Sequence, residues 1–470
     1  MRGKRILGIM LAFLLMLNMG SVVYAEDAAT EKTPEELALE QELQTAYNLP
    51  VASNQLEGWP QGPSVYAESA IVLDINSGAV LYAKNIDDQR YPASITKIMT
   101  ALVALENSSL TDKVVFSQDS VSFLEYGDAH IGMTPGEEIS MEDALYGMML
   151  ASANEVAHAI AENAGGFGYD GFIAKMNEKA KELGCTNSHF VNPNGLHDDN
   201  HYVSAHDMAL ISAAAFQHEE FRTIIKTLEH TIPPTNLVAE ARTFQQNHKM
   251  LYPANAYYYE NCAGGKTGYT DQAKTTLVTY AENQDMQLVA VNLKSHGVNV
   301  YTDTRAMMDY AFANFNKVPV SNYLKDDKVD SLEDENAYVV LPDSVKYEDL
   351  EYKITEDDAG GENAAARLGT VAYTYKDQPV GNVKVKLSNA FYARGGQEVQ
   401  PSKEAGQNGD EAANKADKKE EGMPLWMKLV IGAAVAAVVI FLLFMIRLSQ
   451  NRKRQRNRRR RRRNGGTGRR

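Results

Sequence analysis

The feature that most constrains this chain is an apolar run near its C-terminus. Leu429 to Ile446 carries no charge, with Lys428 before it and Arg447 behind it. A helix of that length spans about 27 Å, close to the hydrocarbon core of a bilayer. A helix apolar on every side needs lipid or protein all round it. Residues 396–424 offer no such protein, being Glu, Lys, Asn, Gly and Ala with almost nothing to bury. The expectation is a flexible stalk over 396–424 and a transmembrane helix over 425–448, with Trp426 at the interface. Residues 447–470 then carry 13 Lys or Arg and no acid. Basic flanks stay cytoplasmic, so 449–470 reads as a cytoplasmic tail. The body reads as the extracellular part of a single-pass protein of the cell membrane.

The other end agrees with export. Arg2, Lys4 and Arg5 precede the apolar stretch Ile6 to Met19, and Val23-Tyr24-Ala25 supplies small residues at the cleavage positions. Residues 1–25 therefore read as a signal peptide. The net charge of −14 conceals an asymmetry: setting aside the 13 terminal bases and the three at the start leaves −30 for the middle. An acidic body repels phosphates, so nucleic acid is excluded as a partner. Cys185 and Cys262 are too few for a disulfide framework and are expected as small buried side chains.

A chain of 470 residues suggests two or three domains. Residues 26–63 are acidic and polar and read as a leader or linker. At Ser69 the texture changes. Ala70-Ile71-Val72-Leu73-Asp74 reads as a buried strand, Asn76-Ser77-Gly78 as a turn and Ala79-Val80-Leu81-Tyr82 as the returning strand. Ile95, Ile98, Met99, Leu102 and Leu105 recur at helical spacing behind Pro92, predicting a helix over 92–106. Further helices are expected around 141–164, 170–183, 205–217 and 301–315, with strands at 275–281 and 286–293. This order predicts an α+β domain over 64–318 with a mainly antiparallel sheet. Short strands at 338–341, 350–354, 367–375 and 383–387, split by turns such as Asp377-Gln378-Pro379, predict a small all-β domain over 319–395.

Three short motifs carry chemistry. Ser94-Ile95-Thr96-Lys97 puts Ser and Lys at i and i+3, on one helical face. A serine hydroxyl needs a base to become a nucleophile, and a lysine serves if burial and neighbouring cations lower its pKa. Ser152-Ala153-Asn154 follows 58 residues after Ser94. Its hydroxyl and carboxamide can relay a proton and hold an amide, although a helix N-cap is the ordinary alternative. Lys266-Thr267-Gly268, behind Gly264 and Gly265, offers a cation and a hydroxyl for a carboxylate and a glycine for close approach. A Gly-rich turn entering a strand is the alternative there. Each motif alone is weak, and their order and context are far more specific.

Taken together, these are the motifs of penicillin-binding proteins and class A β-lactamases. The runs Tyr91-Pro92-Ala93-Ser94-Ile95-Thr96-Lys97, Phe190-Val191-Asn192-Pro193-Asn194-Gly195-Leu196 and Gly265-Lys266-Thr267-Gly268-Tyr269-Thr270 closely resemble the low-molecular-weight D-alanyl-D-alanine carboxypeptidases, serine peptidase family S11. The resemblance covers about residues 64–316. It implies a penicillin-binding, β-lactamase-like transpeptidase fold and removal of the terminal D-alanine from peptidoglycan stem peptides. Ser94 would be the nucleophile and Lys97 its base. Ser152 and Asn154 would position the substrate and relay the proton. Lys266 and Thr267 would hold the terminal carboxylate, with Gly268, Tyr269 and Thr270 completing that side. The N–H groups of Ser94 and Tyr269 would form the oxyanion hole. β-Lactams would be covalent inhibitors.

Some features depart from the pattern. The second motif is Ser-Ala-Asn where class A β-lactamases have Ser-Asp-Asn, and the loop Pro193 to His201 holds Asp198 and Asp199 but no Glu. That favours slow release of β-lactams, as in a target. A D,D-endopeptidase or a β-lactamase shares the chemistry, and a wall-binding scaffold without turnover is the alternative outside it. His197, His201 and His206 have no acid or Cys at firm metal spacing and are expected as polar loop histidines at the active-site rim. No metal and no cofactor are expected.

Overall fold

The computed structural model describes residues 32–357 and 367–393, and the backbone of 398–400. The signal-like segment 1–25, the stalk 396–424 but for that stretch, the apolar run 425–448 and the basic tail lie outside the described residues. Among the described residues no helix is long and apolar enough to cross a membrane.

The apolar stretch at 70–73 is buried because both faces of its sheet are covered. Strand β1 (Ser69–Asp74) has all its residues buried. Ile71 and Leu73 point into one core, and Ala70 and Val72 into another, as the two-residue period of a strand requires. β2 (Val80–Lys84) returns beside it. Three later strands, β3 (Cys262–Thr270), β4 (Lys274–Glu282) and β5 (Gln287–Ser295), complete a sheet of order β2-β1-β5-β4-β3. All its pairings are antiparallel, and β3 is an edge.

The helices over one face are α2 (Lys97–Asn107), α3 (Met141–Leu150), α4 (Asn154–Asn163), α5 (Gly168–Glu182), α6 (Ala205–Phe216) and α7 (Glu219–Lys226). Their apolar residues form the larger core. The expected single helix over 141–164 is two helices, broken at 151–153. Against the other face lies α8 (Asn299–Asn314), with Val300, Met307 and Met308 buried.

The described part of the segment read as a leader or linker, residues 32–63, packs on this second layer through Val51, Leu56 and Trp59. Helix α1 (Pro34–Tyr47) starts on a Thr33–Glu36 capping box. Its end accepts from a buried lysine: Lys84 Nζ donates to Ala46 O at 2.8 Å and to Val65 O at 2.7 Å. Trp59 is buried, donates to Leu81 O at 3.2 Å and stacks on Tyr375. A buried Trp and capped backbone carbonyls are properties of packed structure, which the polar composition of 26–63 hid.

The small β-domain follows. β6 (Phe315–Pro319) pairs with β8 (Tyr338–Pro342), and a five-stranded antiparallel sheet has the order β7-β11-β10-β9-β12. Its members are β7 (Val329–Leu332), β9 (Glu351–Glu356), β10 (Leu368–Tyr375), β11 (Gln378–Leu387) and β12 (Glu398–Gln400). The turn joining β10 to β11 is Lys376-Asp377, both at positive φ, so Gln378 and Pro379 belong to the strand. The domain grips the β1–β2 hairpin: Asn382 N donates to Ser77 O, Gln378 Nε2 to Val80 O, and Tyr338 Oη to Asp74 Oδ1.

Candidate active site

Three segments meet at Ser94. The first is a one-turn 3₁₀ helix, Ala93–Thr96, running into α2. Ala93 takes φ +51, and this unfavourable backbone turns the half-buried Ser94 to the mouth of the helix. Lys97 is fully buried one turn on. Its Nζ stands 3.1 Å from Ser94 Oγ and donates to Asn154 Oδ1 at 2.7 Å and to Asn194 O at 2.7 Å. A neutral amine has two N–H donors and one lone pair. The two acceptors take the donors, so the lone pair is left for the Ser94 hydroxyl. Burial holds Lys97 well below the usual lysine range, and the nearby charge of Lys266 adds to this.

The second segment is the break between α3 and α4. Ser152 takes φ +63, a strained conformation for a residue with a side chain. The α4 N-cap is Ala153, without a side-chain bond, so Ser152 is not a cap. Its Oγ instead accepts from Lys266 Nζ at 3.0 Å. Asn154 opens α4, and its N–H donates to Ala129 O at 2.8 Å, tying the 127–131 loop to the site.

The third segment is β3. The strand opens at Cys262, so Lys266-Thr267-Gly268 lies in its second half. Gly264 and Gly265 are strand residues, not a turn. A Cβ on Gly264 would stand 2.6 Å from Ile225 O, which explains the glycine by its contact with α7. Lys266 is buried, donates to Thr267 O at 2.8 Å, and is pushed down to about 7 by burial. At Gly268 a Cβ would lie 2.9 Å from Ser94 N. The strand therefore passes directly beside the nucleophile's N–H. Tyr269 is 63% exposed and its hydroxyl donates to Asp271; Thr270 Oγ1 accepts from Ala273 N and holds the following turn.

The structure thus gathers Ser94, Lys97, Ser152, Asn154, Lys266 and Gly268. Thr267 joins through its carbonyl, and Tyr269 and Thr270 lie further along the strand. Sequence reasoning missed four contributors. Asn194 supplies a carbonyl to Lys97. Gly195 takes φ +85 where a Cβ would meet Ala93 O. The turn signal Asn192-Pro193-Asn194-Gly195 was available for both. Glu155 is fully buried, accepts from Ile131 N at 2.7 Å, and is raised by burial. Together with Asp128 it pulls Lys97 back toward protonation. No local pattern marks either acid.

His201 is also unlike its expectation as a rim residue. It is 1% exposed, and its Nδ1 accepts from Val191 N at 3.1 Å. Nε2 therefore carries the proton and donates to Thr96 Oγ1, 2.8 Å away. Burial pushes its pKa down to about 3. His197 packs edge-on against Tyr91, and His206 faces Asp87. Cys185 and Cys262 are both free thiols.

The sequence profile of the D-alanyl-D-alanine carboxypeptidases, peptidase family S11, matches residues 57–297. The chain belongs to this family. It is 34% identical over 263 residues to the D-alanyl-D-alanine carboxypeptidase DacF of Bacillus subtilis, covering 54% of this chain and 64% of that one. It is 31% identical over 260 residues to DacB2 of Mycobacterium tuberculosis, covering 54% of this chain and 84% of that one. The chain spans less than two thirds of DacF and of the Haemophilus influenzae DacA, 64% and 63% of their lengths. Among solved structures, the Streptomyces K15 DD-transpeptidase superposes with a TM-score of 0.50 at 28% identity, over 54% of this chain and 100% of its own. The K15 enzyme shares the α+β fold built above, and the family match ends at residue 297, before the small β-domain.

Proposed function

We propose that this protein is a serine-type D-Ala-D-Ala carboxypeptidase that removes the terminal D-alanine from peptidoglycan stem peptides. The observation that carries the reading is the Lys97 amine. It is buried, with Asn154 Oδ1 and Asn194 O each 2.7 Å away and Ser94 Oγ at 3.1 Å, so the neutral amine, its two donors taken by the first pair, would turn its lone pair to Ser94.

The steps follow from that geometry. The Ser94 hydroxyl proton passes to Lys97 Nζ as Oγ bonds to the scissile carbonyl carbon. The resulting oxyanion sits at the junction of Ser94 and β3, where the N–H groups of Ser94 and Tyr269 receive it. Collapse breaks the C–N bond. The proton that Lys97 took passes by way of Ser152, which is linked to Lys266, to the nitrogen of the departing D-alanine, leaving Lys97 neutral again. Lys266 and Thr267 hold the terminal carboxylate, and Asn154 holds the substrate amide. Water then cleaves the ester on Ser94, using Lys97 again as base. A β-lactam follows the same path as far as the ester; its ring opens, and the freed nitrogen stays tethered to the acyl group. No residue of this sequence of steps calls for a metal or cofactor.

The protein is further proposed to act outside the cell, held by the 425–448 span with its basic tail in the cytoplasm. Support comes from the sequence pattern of those segments. The K15 relative's name marks the other fate of one acyl-enzyme, transfer to an amine in place of water. Product analysis separates these readings. Free D-alanine from a monomeric disaccharide-pentapeptide, with cross-linked dimers left intact, supports the carboxypeptidase. Cleavage of dimers without release of D-alanine would make it an endopeptidase, and rapid turnover of penicillin a β-lactamase.

A further inference from the structure

A cavity of about 380 Å³ lies beside the active site, with Glu68, Arg90, Tyr91, Asp199, Gln272 and Lys294 among its walls. Its walls continue the segments that build the site. Tyr91 stands three residues before Ser94. Asp199 belongs to the loop whose Asn194 receives Lys97. Gln272 is in the turn after Thr270 at the end of β3. Neither the motifs nor the steps above use this space.

The lining is charged and balanced. Glu68 bridges Lys294 at 2.8 Å and Arg90 at 3.4 Å, and Arg90 also reaches Asp88 at 3.0 Å. Arg90 Nε is buried and has no hydrogen-bond partner. A buried donor without an acceptor is costly unless something fills the place. Tyr91 Oη donates to Asp199 Oδ1 at 3.5 Å within this lining. With two cations and two carboxylates on the walls, a ligand of one sign would leave charge uncompensated in a partly desolvated space. A ligand carrying both signs would not.

Position supplies the identity of such a ligand. On the carboxypeptidase reading, the terminal carboxylate lies at Lys266 and Thr267, and the scissile carbonyl beside Gly268. Upstream residues of the substrate then run past Tyr269 and Thr270 toward Gln272; the strand carries them about 7 Å from Gly268 to Thr270, and Gln272 lies in the hairpin turn just beyond. The residue before the scissile D-alanine begins about 4 Å upstream, and a long side chain covers the remainder.

We infer that the cavity formed by Arg90, Glu68 and Lys294 is a subsite for the third residue of the stem peptide, and that it selects a side chain ending in both an ammonium and a carboxylate. Diaminopimelate has such an end, and lysine lacks its carboxylate. The carboxylate accepts from Arg90 Nε and Lys294, and the ammonium meets Glu68 and Asp199. The inference rests on the carboxypeptidase reading for the direction of the substrate.

The test compares kcat/KM for two pentapeptides that differ only in diaminopimelate or lysine at the third position. A hydrogen bond to a charged group contributes about tenfold, so the expected preference for diaminopimelate is about tenfold or more. It should fall to about one in Arg90→Lys, which loses Nε, and in Gln272→Trp, which fills the cavity from an exposed turn. The lysine substrate in each variant serves as the internal control for folding. A preference near one in the unaltered protein, or one that both variants preserve, would overturn the subsite. If neither pentapeptide releases D-alanine, the carboxypeptidase reading fails on its own. Calorimetric binding of the stem tripeptide ending in diaminopimelate to the Ser94→Ala protein then decides. Binding lost in Arg90→Lys supports the subsite, and no binding or unchanged binding overturns it.

Discussion

Replacing Gly195 by alanine should disable the nucleophile without touching any side chain of the site. Gly195 holds φ +85, and a Cβ there would stand 1.9 Å from Ala93 O, 2.4 Å from Ala93 C and 3.0 Å from Ser94 N. These are backbone atoms and cannot swing away. The left-handed backbone alone costs an L-residue about 1–2 kcal/mol. Relieving the contact requires the loop to retreat by about 1.5 Å, to an ordinary carbon–oxygen contact of about 3.4 Å. The carbonyl of the preceding Asn194 retreats with it, and that carbonyl holds Lys97 Nζ at 2.7 Å. A misplacement of this size in a reacting constellation costs about 100-fold. The assay is the second-order rate of acylation by a fluorescent penicillin, with thermal melting run alongside. The expected result is about a 100-fold slower acylation in a protein that still melts cooperatively, a few degrees lower. Acylation of Gly195→Ala at the unaltered rate would show that the Asn194 carbonyl does not position the base.

Other predictions concern charge and packing. Lys266 lowers the pKa of Lys97, so Lys266→Gln should raise it and leave more of the base protonated at neutral pH. The acid limb of the acylation profile should move to higher pH, and a limb that stays in place or moves down would contradict this coupling. His201 has its pKa depressed from 6.5 to about 3. Its contribution to stability is complete above pH 6.5 and is lost as the pH falls toward 3, because the unfolded chain takes up the proton first. That amounts to about 2 kcal/mol between pH 6.5 and 5. Chemical denaturation at those two pH values should show a smaller loss in His201→Gln, and an equal loss would refute the assignment. Trp59→Ala should cost about 3–5 kcal/mol because the indole is buried against Phe315 and Tyr375. A change below about 1 kcal/mol in the denaturation midpoint would restore the reading of 26–63 as a linker.

The parts of this molecule legible in the sequence are those governed by local pattern. Ala70–Asp74 reads as a strand because Ala70 to Leu73 is apolar without interruption, and the structure covers both its faces. The structure brings the three motifs together: Ser94 and Lys97 share a helical turn, Lys97 meets Asn154, and Ser152 meets Lys266. What pattern could not show was the long-range geometry. The break at Ser152 sits inside a run that propensity alone would keep helical from 141 to 164. It persists because Lys266, 114 residues away, holds the serine hydroxyl. Asn194 acts through its backbone, which no side-chain motif records. Glu155 matters by burial, and burial depends on the whole fold. Segment 34–63 was hidden by its composition, since its anchoring groups are one indole and a few carbonyls among many polar side chains. The segments that led the sequence reading, 1–25 and 425–448, lie outside the described residues.

The central claim is that Ser94, with Lys97 as its base, releases D-alanine from a peptide ending in D-Ala-D-Ala. The direct measurement is D-alanine release from a stem pentapeptide by the purified full chain and by its Ser94→Ala and Lys97→Met variants. The account predicts release by the first and loss of at least about 10³-fold in both variants, the scale set by removing a nucleophile or its base. Release that survives in Ser94→Ala would contradict the account, whatever the protein's affinity for penicillin.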